Sequence, residues 1–213
     1  MKNKVYFFDM DGTLIDSMQI AWEEVILKYL DDRDIQYHRG IISKIVTRGF
    51  MGISKYYVEE LGVESTPEKL YDYFMQALEI KYQKDFPLKE GVKDFIKSLK
   101  EKGHSVNVIS GSPLGFVEPC LKRLEVYDLF DNVFSIEAFG LTKSDKELFI
   151  KLAETMQANP KDCVVIDDSV NAIKTAKSAG LTTIGVYEKM VKEDWLEMCS
   201  VADKAILGFT ELI

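Results

Sequence analysis

Two pairs of aspartates end apolar runs in this chain. Asp9 and Asp11 close the stretch VYFFDMD, and Asp167 and Asp168 close CVVIDD. In an extended strand, residues two apart face the same way, so Asp9 and Asp11 project together while Met10 turns elsewhere. Neighbouring carboxylates repel, and burying one without a partner is costly, so a hard cation or a shared proton is the expected relief. Mg²⁺ suits such a site because it takes oxygen ligands, keeps several waters and is held by one or two carboxylates together with a substrate phosphate. Ca²⁺ normally recruits more protein oxygens. Each pair alone has an ordinary reading as solvated loop acids, or as a helix N-cap in the case of Asp168. Two pairs, each at the end of an apolar strand, point instead to one shared site, because ligands of an open parallel sheet collect beyond the carboxyl ends of its strands.

The elements that must position these acids follow from the hydrophobic pattern. VYFF, SVNVIS ending at Ser110, NVFSI from Asn132, CVVID and TTIGVY from Thr182 read as strands. They are nearly continuous in apolar character, as strands covered on both faces are. Helical patterns separate the later ones, over 113–124, 146–156 and 170–179. Asn159-Pro160 stops one helix; Ser169 is placed to cap the next and Gly180 to end it. This alternation predicts an α/β fold with a doubly wound, Rossmann-like parallel sheet. Between Ser17 and Phe86 the alternation gives way to helical periodicity in AWEEVILKYL, ISKYYVEELG and PEKLYDYFMQALEIKY, with Gly40, Gly49, Gly52 and Gly62 read as breaks. The expected organisation is a catalytic core formed by 1–16 and 87–213, with a helical domain inserted at 17–86.

Composition narrows the function class. With 213 residues, 46% hydrophobic and 29% charged, the chain can bury a substantial core. A formal charge of −8 without a long basic run argues against nucleic acid or an anionic membrane as partner, and an anionic substrate needs local cationic help. No apolar run is long enough to cross a bilayer, and MKNKVYFF enters a strand without a signal-peptide pattern, so a cytoplasmic location is expected. Cys120, Cys163 and Cys199 lack metal-ligand spacing and read as reduced, packed thiols. His38 and His104 read as surface residues, and Trp22, Tyr56, Tyr57, Tyr71 and Tyr73 as helical core.

The segment DMDGTL resembles the first motif of the haloacid dehalogenase superfamily of phosphatases and phosphomutases. Three further segments match in order: VNVIS with Ser110 at a hydroxyl position, KSDKELF from Lys143, and VVIDDSVNAIKTAKSAG. The insertion matches the helical cap of the branch that includes phosphoglycolate phosphatases and β-phosphoglucomutases. The resemblance implies that Asp9 is a nucleophile forming an aspartyl-phosphate, and that Asp11 is the acid for the leaving alcohol and the base for water. It implies that Asp168, Asp9 and the backbone carbonyl of Asp11 hold Mg²⁺, with Asp167 binding directly or through water. Ser110 and nearby backbone donors at Gly111 and Ser112 would hold phosphoryl oxygens, and Lys143 would neutralise charge on the nucleophile and the phosphoryl group. Gly12 and Thr13 fit the tight turn leaving the strand, with Thr13 beside the substrate.

The chain departs from the family's pattern in places. Both prolines expected around Lys143 are absent, which leaves Lys146 as a fallback, and Ala172 stands where another acid is often found. Sugar phosphomutases of the family carry a histidine early in the first cap helix; Ala21 occupies that position here. The favoured expectation is therefore a Mg²⁺-dependent hydrolase of a small phosphorylated metabolite. A phosphomutase is the near alternative. A phospho-accepting signalling domain or a silent interaction protein on the same fold lies further off. Within TRGFMG, Arg48 sits between turn-forming residues and is a candidate for a second anionic group on the substrate.

Overall fold

Six parallel strands lie in the order β3-β2-β1-β4-β5-β6. They are β1 (Val5–Asp9), β2 (Ser105–Ser110), β3 (Asn132–Ser135), β4 (Cys163–Asp167), β5 (Thr182–Val186) and β6 (Lys204–Ile206). The computed structural model describes residues 3–38, 40, 41, 45 and 48–213. The first five strands are those the apolar runs predict. β6 was not expected, since KAI is short and carries a lysine; it adds to the far edge by pairing Ile184 with Lys204 and Val186 with Ile206.

Alternation along β1 feeds two cores. Phe7 packs on one face with Ile109, Leu148, Phe149, Leu152 and Val165. Phe8 faces the other way, against Phe95, Phe130 and Phe209 at ring-centroid distances of 6.1, 6.3 and 6.2 Å. Burial on both faces is why these strands carry no polar stripe. The Phe8 side is covered by helix Val92–Glu101, whose Val92, Phe95, Ile96 and Leu99 are buried at helical spacing. That helix starts at Gly91, at φ 79°, where a Cβ would lie 2.8 Å from the Thr210 backbone nitrogen. Only glycine meets both demands.

On the other side, helix Lys146–Thr155 contributes Leu148, Phe149 and Leu152 to the Phe7 core. Helix Val170–Ser178 starts at Ser169, whose hydroxyl accepts from Ala172 N at 3.4 Å as expected of an N-cap. The thiols divide. Burial pushes Cys120 and Cys163 each up to about 11, whereas Cys199 is exposed on the short helix Trp195–Val201, against the expectation that all three pack inside.

The chain divides into two compact units, 1–17 with 86–213, and 18–85. The second is helical. Met18–Ala21, a π-helical stretch Trp22–Leu27 and Lys28–Asp31 run on from one another, followed by helices Gly49–Glu59 and Pro67–Lys84. Its aromatic centre sets Phe74 edge-on to Tyr29 and Tyr57, at 5.7 and 5.8 Å. Tyr57 donates its hydroxyl to the Ile26 carbonyl in the π-helical stretch at 3.1 Å, and burial holds that hydroxyl above its ordinary titration range. Trp22 and Tyr57 are core as expected, whereas Tyr73 is 42% exposed. Gly52 breaks nothing, since it lies inside Gly49–Glu59. Among the described residues, no helix is long and apolar enough to cross a membrane.

Candidate active site

β1 and β4 are neighbours, paired through Phe8 and Ile166. That register sets the next residues, Asp9 and Asp167, side by side at the carboxyl ends of both strands. They share the parity of Phe7 and Val165, so they continue the buried face that helix Lys146–Thr155 covers. The loop before that helix delivers Lys143 to the same place. Lys143 donates to Asp9 and, at 2.7 Å, to Asp167. Lys146, by contrast, is exposed on the helix. The loss of the two prolines does not prevent the loop from bringing Lys143 in, because its two ion pairs hold the end of the side chain.

Asp167 is fully buried and also accepts from Ser169 N at 2.9 Å. Asp168, half-buried, is held by Thr13: the Thr13 hydroxyl donates to Asp168 Oδ1 and accepts from Asp168 N, both at 3.0 Å. Thr13 itself is fully buried, which sets its hydroxyl to bracing an acid within the protein. One carboxylate oxygen from each of Asp9, Asp167 and Asp168 lies within 4.8 Å of the others.

The electrostatics follow from burial. Burial pushes the Asp9 carboxyl up against the pull of Lys143, and it pushes Asp167 up to about 6 despite the same lysine. Asp168 is raised well above the usual carboxylate range by burial and then by Asp9 and Asp167. Burial works against the Lys143 charge too, yet Asp167 and Asp9 hold it above its ordinary value. Three acids against this ammonium leave surplus negative charge among hard oxygen donors. A divalent cation such as Mg²⁺ is suited to relieve it.

Asp11 stands apart from that trio. Its two carboxylate oxygens accept from the Ser17 hydroxyl at 2.9 Å and the Ser112 hydroxyl at 2.8 Å. Gly12, at φ 79°, turns the chain between Asp11 and Thr13. Ser110 ends β2 fully buried, and its hydroxyl accepts from Ser112 N at 3.0 Å. The segment Ser110-Gly111-Ser112 is thereby linked to Asp11. Arg48 lies in the second unit at the position just before helix Gly49–Glu59, its guanidinium 5.1 Å from the Tyr56 ring centre. It belongs to the start of a helix rather than to a turn; Thr47 lies outside the described residues.

Three residues of this region were not among the expected site residues. Ser17 contacts Asp11, and Lys89 and Glu188 pair at 2.9 Å, with Lys89 also donating to the Gly12 carbonyl. Glu188 was the legible one, since it follows the strand TTIGV. Lys89 lies in a lysine- and glutamate-rich run where nothing marks it out.

Comparison with known proteins bears on the same residues. A family model described as haloacid dehalogenase-like hydrolase matches residues 3–180. Hexitol phosphatase B of Escherichia coli (strain K12) is 26% identical over 207 residues, covering 96% of this chain and 92% of that protein. A phosphoglycolate phosphatase of Psychrobacter arcticus is 25% identical over 193 residues, covering 87% and 84%. Among solved structures, CbbY of Rhodobacter sphaeroides in complex with xylulose-(1,5)bisphosphate superposes with a TM-score of 0.82 at 17% identity, covering 99% of this chain and 96% of that one, a likeness of fold. The span of the family match takes in both acidic pairs, Ser110 and Lys143, and the chain is an enzyme of the haloacid dehalogenase-like hydrolase family.

Proposed function

We propose that the protein is a Mg²⁺-dependent phosphatase of a small phosphorylated metabolite, working through an aspartyl-phosphate on Asp9. The observation that carries this reading is the convergence of Asp9, Asp167 and Asp168 at the ends of two adjacent strands, with Lys143 paired to the first two. The phosphatase names of the sequence relatives support it. Asp9, Asp168 and the backbone carbonyl of Asp11 would hold the cation, with Asp167 binding it directly or through water. When bound, Mg²⁺ neutralises negative charge on the phosphoryl oxygens and the surrounding carboxylates.

The residues divide the chemistry. An Asp9 carboxylate oxygen attacks phosphorus in line; the bond to the leaving oxygen breaks, and that oxygen takes a proton from Asp11. Water then attacks the aspartyl-phosphate at phosphorus and gives its proton to Asp11. Orthophosphate leaves and the Asp9 carboxylate is restored. Ser17 and Ser112 orient Asp11 through its two oxygens, so that one carboxyl serves both proton transfers. Lys143 holds Asp9 in place and supplies positive charge where the equatorial oxygens gather it. Ser110, Gly111 and Ser112 lie on the turn that would receive the phosphoryl oxygens, with Thr13 bracing Asp168.

Hydrolysis is favoured over mutase chemistry by Ala21, a buried residue with no proton to give, at the position where the mutases of the family place a histidine. The test is a panel of phosphorylated metabolites assayed for inorganic phosphate and for organic product. Phosphate is expected to appear in step with substrate loss, to stop with a chelator and to resume with added Mg²⁺. Full turnover in metal-free protein, or an isomeric sugar phosphate accumulating without phosphate release, refutes the reading.

A further inference from the structure

The Lys89–Glu188 ion pair has no part in the chemistry above. The Lys89 and Glu188 side chains are only 18% and 2% exposed. Taking both charges out of water seldom repays itself in stability, so what the pair holds is more informative than its own energy. Lys89 Nζ donates to Glu188 Oε2 at 2.9 Å and to the Gly12 carbonyl, with a longer contact of 3.5 Å to the Tyr187 carbonyl. The other Glu188 oxygen accepts from Met190 N at 3.1 Å, which fixes the carboxylate from behind. The Lys89 backbone is fixed as well: its N–H donates to the Leu14 carbonyl at 2.9 Å, and the neighbouring Leu88 bridges to Ile15.

Gly12 is the freest residue of the turn, at φ 79°, and a glycine peptide there reorients readily. Because the peptide unit is planar, anchoring the Gly12 carbonyl sets the direction in which the chain enters Thr13. Thr13 in turn clamps Asp168 with both bonds of its hydroxyl. Three separate segments, the exit from the insertion, the loop after β5 and the turn after β1, are thus tied together behind one acid of the cluster.

We propose that Lys89, braced by Glu188, is a positioning residue for divalent-cation binding, acting through the Gly12 carbonyl and Thr13 on Asp168. This inference rests on the metal-dependent reading given above. It runs against simple electrostatics, which makes it decisive to test. The Lys89 ammonium acts on Asp168 from nearby, so removing its charge should tighten cation binding if charge alone mattered. If positioning dominates, removal weakens binding, as loss of a group that orients a metal ligand does by roughly 10–100-fold.

The experiment is calorimetric titration of Mg²⁺ into the full, metal-stripped chain, with a thermal melt to verify folding. Lys89→Met is expected to weaken Mg²⁺ binding about tenfold. The double variant Lys89→Met/Glu188→Met removes the buried unpaired carboxylate, and it is expected to melt near the parent yet bind Mg²⁺ as weakly as the single variant. Glu188→Gln, which keeps an oxygen acceptor for the lysine, is expected to bind within about threefold of the parent, well short of the loss caused by removing the anchor. Unchanged or tighter binding in the folded double variant overturns the proposal while leaving the metal reading intact. A parent chain that takes up no Mg²⁺ overturns both.

Discussion

Replacing Asp168 by asparagine should stabilise the metal-free protein while removing its response to Mg²⁺. The substitution is nearly isosteric and keeps the side-chain oxygen that accepts from the Thr13 hydroxyl at 3.0 Å. What it removes is one negative charge from a group of three whose oxygens lie within 4.8 Å of one another. At an effective dielectric constant of about 20, two carboxylates at that separation repel by about 3 kcal/mol. Asp168 faces two such neighbours, Asp9 and Asp167, but Lys143 and proton sharing within the cluster offset much of the sum, leaving a net relief on the order of 1–3 kcal/mol. For a chain of this size that is a rise in melting temperature of about 5 °C for the stripped protein. Added Mg²⁺ should reverse the order: at about 100 times its dissociation constant it should stabilise the parent by about 2.7 kcal/mol and the variant by far less. Differential scanning calorimetry with chelator and with Mg²⁺, run beside a phosphate-release assay, reads all three consequences. A stripped variant that melts below the parent, or a variant that keeps the parental Mg²⁺ shift, refutes the reasoning that the acids are strained until a cation arrives.

Arg48→Ala should raise KM for a substrate carrying a second anionic group by roughly tenfold and leave a small artificial phosphate ester unaffected; steady-state kinetics on both decide, and equal effects remove Arg48 from substrate selection. Thr66→Ala, which deletes the hydroxyl accepting from Lys69 N at 3.3 Å at the start of Pro67–Lys84, should cost about 1 kcal/mol in denaturant unfolding with kcat unchanged. His104 should titrate below its ordinary 6.5, because burial, then the Lys102 and Lys4 charges, disfavour its cation and the neutral ring accepts Lys4 N at 3.1 Å. The folded state then binds fewer protons than the unfolded chain, so this contribution to stability is complete above about pH 6.5 and is lost as pH falls from there through the lower folded value. NMR titration of the His104 ring protons checks it, and a midpoint at or above 6.5 refutes it.

The acids at the strand ends were legible because they contradict their surroundings: a charged residue closing an apolar strand has few structural uses, and two such strands in one parallel sheet have one shared edge at which to meet. The strands themselves were legible for the related reason that burial on both faces removes polar residues altogether. Local propensity does not record what comes from elsewhere in the chain. Lys143 and Lys146 are equivalent by type and nearly so by position, and the path of one loop brings Lys143 between Asp9 and Asp167 while Lys146 stays on the helix surface. Helix Val92–Glu101 was not among the expected helices although Val92, Phe95, Ile96 and Leu99 fall at helical spacing, and β6 was missed because an edge strand of three residues borrows its conformation from β5. Cys199 sits outside because its helix buries Met198 instead, one residue away around the turn. Lys89 and Glu188 are 99 residues apart, and nothing local to either names the other. The sequence by itself determined which chemistry the chain carries, since residue type fixes charge, donors and strand periodicity. Tertiary structure alone decided which lysine faces the acids, which hydroxyls orient Asp11 and what holds the Gly12 turn, because each is a meeting of distant segments set by how the sheet orders its strands.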